Sequence, residues 1–271
     1  MKNIYLLILV FSFSSLLSQN NSSSGARAQS LANSIGASID FWNVTNNPSA
    51  IAFLDDTSIG INVQNNFMIK ELSTATLALL LPVNDYGNFG FYLQHYGYST
   101  FNENKLAISY SKKLSTSTSA SIQFSDNIQS INGEEFKSTE HEIGFNIGFF
   151  TKLNDNIHIA SYYNYQKNIS DLDIKNYQEL TLALSWFPVS NLNLLMEISK
   201  RTNTDISLRG GIEYKIAKRV SARIGVSSVP LNVAIGLGIM FKDLDIDISF
   251  ANHQHLGTTS NISGNYIFRN N

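Results

Sequence analysis

The sequence has no cysteine. That excludes a disulfide framework and a cysteine metal site, and it leaves no thiol for a bacterial lipid anchor. Charge is scarce too: 15% of the 271 residues are Asp, Glu, Lys or Arg, against about 25% in a typical soluble domain. The 19 basic and 21 acidic residues leave a net charge of −2. A nucleic-acid binder would present a basic face, so nucleic acid is excluded as a partner. Beyond the first 18 positions, no run approaches the length of a helical membrane span, which needs about 20 apolar residues.

What is present is apolar and aromatic. Hydrophobic residues make up 43% and aromatics 11%, too many for a disordered chain. Lys2 precedes an apolar run from Ile4 to Leu17, and small Ser18 is followed by polar Gln19. This pattern predicts a secretory signal peptide over 1–18, cut near Ser18–Gln19.

From Thr57 onward the chain alternates with period 2. Leu231, Val233, Ile235, Leu237 and Ile239 share one face, and Asn232, Ala234, Gly236, Gly238 and Met240 share the other. Residues i and i+2 lie on the same side of a strand. Fourteen such runs are read at 58–69, 72–83, 87–97, 103–114, 117–128, 140–152, 156–167, 177–188, 191–200, 205–216, 219–227, 231–241, 244–254 and 260–268. Connections after even-numbered runs are tight, whereas several after odd-numbered runs are longer, as at Gln129–Thr139 and Asn168–Asn176.

A secreted β-sandwich also alternates, with one face wet. Three features favour a transmembrane antiparallel β-barrel of about fourteen strands. The runs match the 9–11 residues of a tilted spanning strand. Their apolar face is almost free of charge. Aromatics such as Tyr110, Phe149, Trp186, Tyr214, Phe241, Tyr266 and Phe268 sit near run ends, as interface girdles do. The expected division is a signal peptide at 1–18, an N-terminal plug or hatch at 19–57 inside the barrel, and the barrel itself at 58–271. An outer-membrane location with both termini periplasmic follows from the even count, with lipid and lipopolysaccharide as surroundings.

The face opposite the apolar one then lines the lumen. It carries Glu197, Arg209, Glu213, Lys215, Arg223, Asp245 and Asp247. Both signs are present, so a mutually neutralising network is favoured over a selective permeation path. Gly211, Gly225, Gly236 and Gly238 share that face. Their missing side chains leave room for the segment from Gly25 to Asp56, which lacks the alternating rhythm.

Other motifs carry less. His253 and His255 share a strand face, but two imidazoles without a carboxylate do not make a metal site. Asp243, Asp245 and Asp247 lack the Gly and terminal Glu of a calcium loop. Gly236-Leu-Gly238 opens no helix, so it is not a dinucleotide fingerprint. The Ser-rich stretch 115–121 has no adjacent His or Asp partner and forms no nucleophile elbow. No cofactor and no enzyme activity are expected.

Gly25-Ala26-Arg27, the small-residue stretch through Ala37, Phe41-Trp42-Asn43 and Asn47-Pro48-Ser49-Ala50 together form a signature. It resembles that of the FadL-like outer-membrane proteins of the PorV/PorQ group from Bacteroidota. Here the Trp-Asn and Asn-Pro units are separated, and Ile51 stands where the group has Gly. Gly210-Gly211-Ile212-Glu213-Tyr214 and His255-Leu256-Gly257 add to the likeness. The resemblance implies an accessory or scaffold subunit of an outer-membrane machine, as in type IX secretion, with other outer-membrane proteins as partners. The alternative it implies is a FadL-like channel for hydrophobic small molecules. In that case a wall opening is expected near Asn65-Asn66 or Gly210-Gly211.

Overall fold

The computed structural model describes residues 24–83, 85–133, 136–169 and 176–269. The expected signal peptide lies outside these residues. The fourteen strands are β1 (Thr57–Asn65), β2 (Ser73–Val83), β3 (Gly87–Gly97), β4 (Phe101–Lys113), β5 (Thr118–Asn132), β6 (Lys137–Asn154) and β7 (Ile157–Asn168), then β8 (Tyr177–Val189), β9 (Leu192–Arg201), β10 (Ile206–Ala217), β11 (Val220–Ser228), β12 (Leu231–Phe241), β13 (Leu244–His253) and β14 (Gly257–Phe268). Every neighbour pair is antiparallel, and β1 pairs with both β2 and β14 to close a barrel. Fourteen strands in sequence order match the fourteen alternating runs.

The alternation sorts side chains as the barrel requires. On β1, Ile59, Ile61 and Val63 point outward and are exposed, while Ser58, Gly60 and Asn62 point inward and are buried. On β12, Val233, Ile235, Leu237 and Ile239 form the outer row. Ile235 pairs with Ile224 and Phe250, and Leu237 pairs with Ala222 and Ile248, so the outer surface is a continuous apolar sheet. A surface of this kind belongs in hydrocarbon, where a closed barrel satisfies every backbone group without an edge. The exposed aromatics Phe149, Trp186, Tyr214, Phe241, Tyr266 and Phe268 lie at one rim, the end where β1 begins and β14 finishes. This rim is called the termini end below, and the opposite rim the far end.

The structure departs from the sequence reading in three places. The first run stops at Asn65, because Asn66 turns the chain by donating from Nδ2 to the Leu72 carbonyl at 2.8 Å. The expected long connection at Gln129–Thr139 is mostly strand: β5 and β6 stay paired out to Asn132 and Lys137. Polar pairs such as Gln129 with Glu140 carry that hairpin past the apolar band, where no hydrophobic rhythm marks a strand. Nor does the wall open at the expected kinks. Gly210 and Gly211 pair in unbroken register with both neighbours, and β1 holds β14 over nine residue pairs. The register shifts between Lys152 and Asn154, Trp186 and Val189, and Lys215 and Ala217 all lie at the termini end.

Residues 24–56 pack against the inward faces of the strands and are largely buried. They comprise a short helix, α1 (Gly25–Ser30), and two 3-10 helices, Phe41–Val44 and Pro48–Phe53. Leu31, Ile35, Trp42, Val44 and Ile51 of this inner segment cluster with Ala78, Leu80, Tyr92, Ala107 and Leu195 of the wall. Each such side chain contributes roughly 1.5–3 kcal/mol on burial, which is what holds an otherwise irregular segment in place.

Candidate functional site in the barrel lumen

The inner segment is shaped by the residues of its signature. Gly25 has φ +86°, and a Cβ there would lie 2.6 Å from the Trp42 ring. Only glycine meets both conditions without strain. The Ala26 N–H donates to Ser263 Oγ at 3.0 Å, tying α1 to β14. Trp42 stacks edge-on with Phe41, ring centroids 5.2 Å apart. Asn43 Nδ2 donates to the Ile35 and Ser38 carbonyls, and Asn47 Nδ2 donates to the Gly36 carbonyl at 2.7 Å. Asn47 Oδ1 also accepts the Ser49 N–H, and Pro48 opens the second 3-10 helix. The separated Trp-Asn and Asn-Pro units thus belong to two successive turns.

Three of the four inward glycines of the sequence reading face this segment. A Cβ on Gly211 would lie 2.8 Å from Leu31 Cδ2, and one on Gly236 would lie 2.5 Å from Ser30 Cβ. At Gly225 it would overlap the Ala32 backbone nitrogen. Gly238 differs, since its neighbours are Asp247 and Arg223 of the wall itself.

The expected lumen charges divide into two clusters. Toward the termini end, Arg27 reaches Glu213 at 2.6 Å and Asp40 at 3.2 Å. Arg223 bridges Glu213 at 2.6 Å and Asp247 at 2.5 Å. Asp245 lines the same cavity and accepts from Asn265 Nδ2 at 3.4 Å. Toward the far end, Arg209 lies 3.3 Å from Glu197 and 4.0 Å from Glu179, and Arg201 lies 3.7 Å from Glu179. Lys215 shares the inward parity but is exposed at the termini-end mouth, where it lines a cavity and makes no ion pair among the described residues. Charges removed from bulk water need such partners.

Asp40, Glu179 and Arg201 were absent from the residues singled out in the sequence. Glu179 and Arg201 share the inward parity of Thr181 and Ser199, so the alternation carried a signal for them. Asp40 sits in the irregular segment, where no period points to it.

Glu197 links the two parts. It is 3% exposed. Its carboxylate accepts the Gly36 N–H at 2.6 Å and the Tyr162 hydroxyl at 3.2 Å while pairing with Arg209. It therefore connects the inner segment to the far-end cluster.

Two cavities flank the inner segment. The far-end vestibule has a volume of about 250 Å³ and is lined mainly by polar groups, among them Gln123, Asn146, Asn164, Tyr177, Glu179 and Arg209. The termini-end cavity has about 440 Å³ and is lined by Arg27, Asp40, Glu213, Lys215, Arg223 and Asp247, among others. Their linings share no residue, and the inner segment contributes to both.

His253 and His255 lie at the far-end rim, ring centroids 6.2 Å apart. Nδ1 of His253 accepts the His255 N–H, so it caps a turn. No group of three metal-ligating side chains occurs among the described residues.

Solved structures share this architecture. A FadL homologue of Pseudomonas aeruginosa superposes with TM-score 0.64 at 14% identity, covering 90% of this chain and 98% of that one. The fold is that of a FadL-like barrel. The toluene transporter TodX of P. putida gives TM-score 0.63 at 12% identity, covering 92% and 100%. The toluene transporter TbuX of Ralstonia pickettii gives 0.62 at 10%, covering 92% and 100%. No family model matches the sequence, and no curated protein matches it.

Proposed function

We propose that this FadL-like barrel is a gated uptake channel for small molecules in the outer membrane of a Gram-negative cell. Both termini face the periplasm, and the inner segment is the hatch. One observation carries the reading: two cavities open toward opposite ends and are separated by a segment that is not part of the wall. Besides its apolar packing, the segment is tied to the wall by side-chain contacts, among them Arg27 to Glu213 and Gly36 to Glu197, none of which belongs to the backbone ladder of the sheet. Likeness in fold to channels described as toluene transporters supports uptake over a scaffold role.

The test is conductance of the purified protein in planar bilayers. The intact barrel should be closed or open only briefly, and a variant lacking residues 24–56 should form a persistent pore. Equal conductance from the two proteins, both shown to be folded by heat-modifiable gel migration, would sink the hatch reading. The accessory-subunit role of type IX kind has a separate test. Purification in mild detergent would have to yield a stoichiometric second outer-membrane protein.

A further inference from the structure

We infer that the far-end vestibule binds a small neutral polyhydroxylated molecule, of the size and chemistry of a monosaccharide. The inference rests on the uptake reading of the same cavity and names its substrate class.

The vestibule volume of about 250 Å³ is slightly below the roughly 300–1,000 Å³ of drug-sized pockets, which suits a compact ligand better than a long acyl chain. Its charge is balanced. Lys105, Arg201 and Arg209 are matched by Glu179, Asp205 and the Glu197 carboxylate beneath Arg209. A cavity of balanced charge has no reason to select an anion or a cation.

Amide side chains dominate the remainder. Gln123, Asn146, Asn164 and Gln166 project inward from β5, β6 and β7. An amide both donates and accepts, as a hydroxyl does, so such a wall answers a ligand whose groups do both. Several of these needs are unmet by protein. Among the described residues lining the vestibule, Asn46 Nδ2 and Arg209 Nε are buried donors without a partner. Asn146 Oδ1 and Asn232 Oδ1 are buried acceptors without one. Tyr177 lines the vestibule with Arg201 stacked on one face of its ring, 4.6 Å from the centre.

The test is calorimetric titration of the purified barrel in detergent with glucose, galactose, mannose and N-acetylglucosamine. Laurate and toluene serve as apolar probes and citrate as an anionic one. At least one sugar should bind, and Asn146→Ala and Tyr177→Ala should each weaken it about tenfold. Gln166→Ala replaces either variant that fails to show heat-modifiable migration. Binding by none of the four sugars overturns the inference. So does sugar binding untouched by the variants, or variants that abolish binding of laurate, toluene or citrate instead. Liposome swelling separates the two proposals. A sugar that binds but never enters, even with the hatch removed, sinks the uptake reading alone, whereas toluene influx without sugar binding sinks this inference alone.

Discussion

The Glu197 carboxylate accepts the Gly36 N–H at 2.6 Å, joining β9 to the inner segment across 161 positions of sequence. The same carboxylate pairs with Arg209 at the floor of the far-end vestibule. A group that enters the vestibule and draws Arg209 away therefore acts on the bond that holds the segment.

Replacing Glu197 should reveal this coupling. Glu197→Ala leaves Arg209 buried beside Glu179 alone and removes the acceptor for Gly36. Breaking a buried pair on one side costs about 3–5 kcal/mol, so urea unfolding in lipid vesicles should show a loss of that order. Glu197→Gln keeps an acceptor for Gly36 and should lose less. Bilayer openings should become more frequent in Glu197→Ala than in Glu197→Gln.

Arg27 anchors the other end of the segment with a two-pronged contact to Glu213 and a third contact to Asp40. Lysine cannot reproduce that fork. Arg27→Lys and Arg27→Ala should both expose the segment to limited proteolysis while the strands stay resistant. Cleavage at wild-type rates would show that the ion pairs do not hold it.

Gly225 measures how closely wall and segment approach. Gly225→Val places side-chain atoms where the Ala32 nitrogen lies. Overpacking typically costs about 1–3 kcal/mol, and the strain should appear as a lowered unfolding midpoint or a displaced segment. Gly210→Val is the control, because a Cβ there meets only the Leu195 carbonyl at 3.8 Å. It should be nearly silent.

The outer surface makes its own prediction. Leu237 lies in the middle of β12 and faces outward. Leu237→Arg should destabilise the barrel in vesicles by about 2–4 kcal/mol, the cost of a cation at the bilayer midplane. The same substitution at Phe241, on the termini-end rim, should cost no more than about 1 kcal/mol. Equal costs at the two positions would refute membrane burial of this face.

Much of the barrel was legible because alternation is a local property. Ile235 and Leu237 declare their face from two neighbours each, and the run 231–241 coincides with β12. The inward parity of Glu197 and Arg209 was readable for the same reason. Which charge meets which was not. Arg27 and Glu213 are 186 positions apart, and nothing in either neighbourhood specifies the other. The extension of β5 and β6 was hidden because register partners such as Gln129 and Glu140 are polar and carry no apolar marks. Lys215 obeys the alternation but is exposed where it lines the termini-end cavity, so parity gave its face and not its surroundings.

The seam between β1 and β14 has a consequence for how the molecule is made. The first strand synthesised completes its pairing only with the last, so closure waits for the whole chain. Contacts of such long separation form slowly. The inner segment immediately precedes β1, so it is already at the seam while the ring is still open. If the segment is in place before β14 pairs with β1, no later threading through a mouth is required. A chain that loses the segment closes without Arg27 beside Glu213 and without the Gly36 N–H on Glu197, leaving Glu213 to Arg223 and Glu197 to Arg209 and Tyr162.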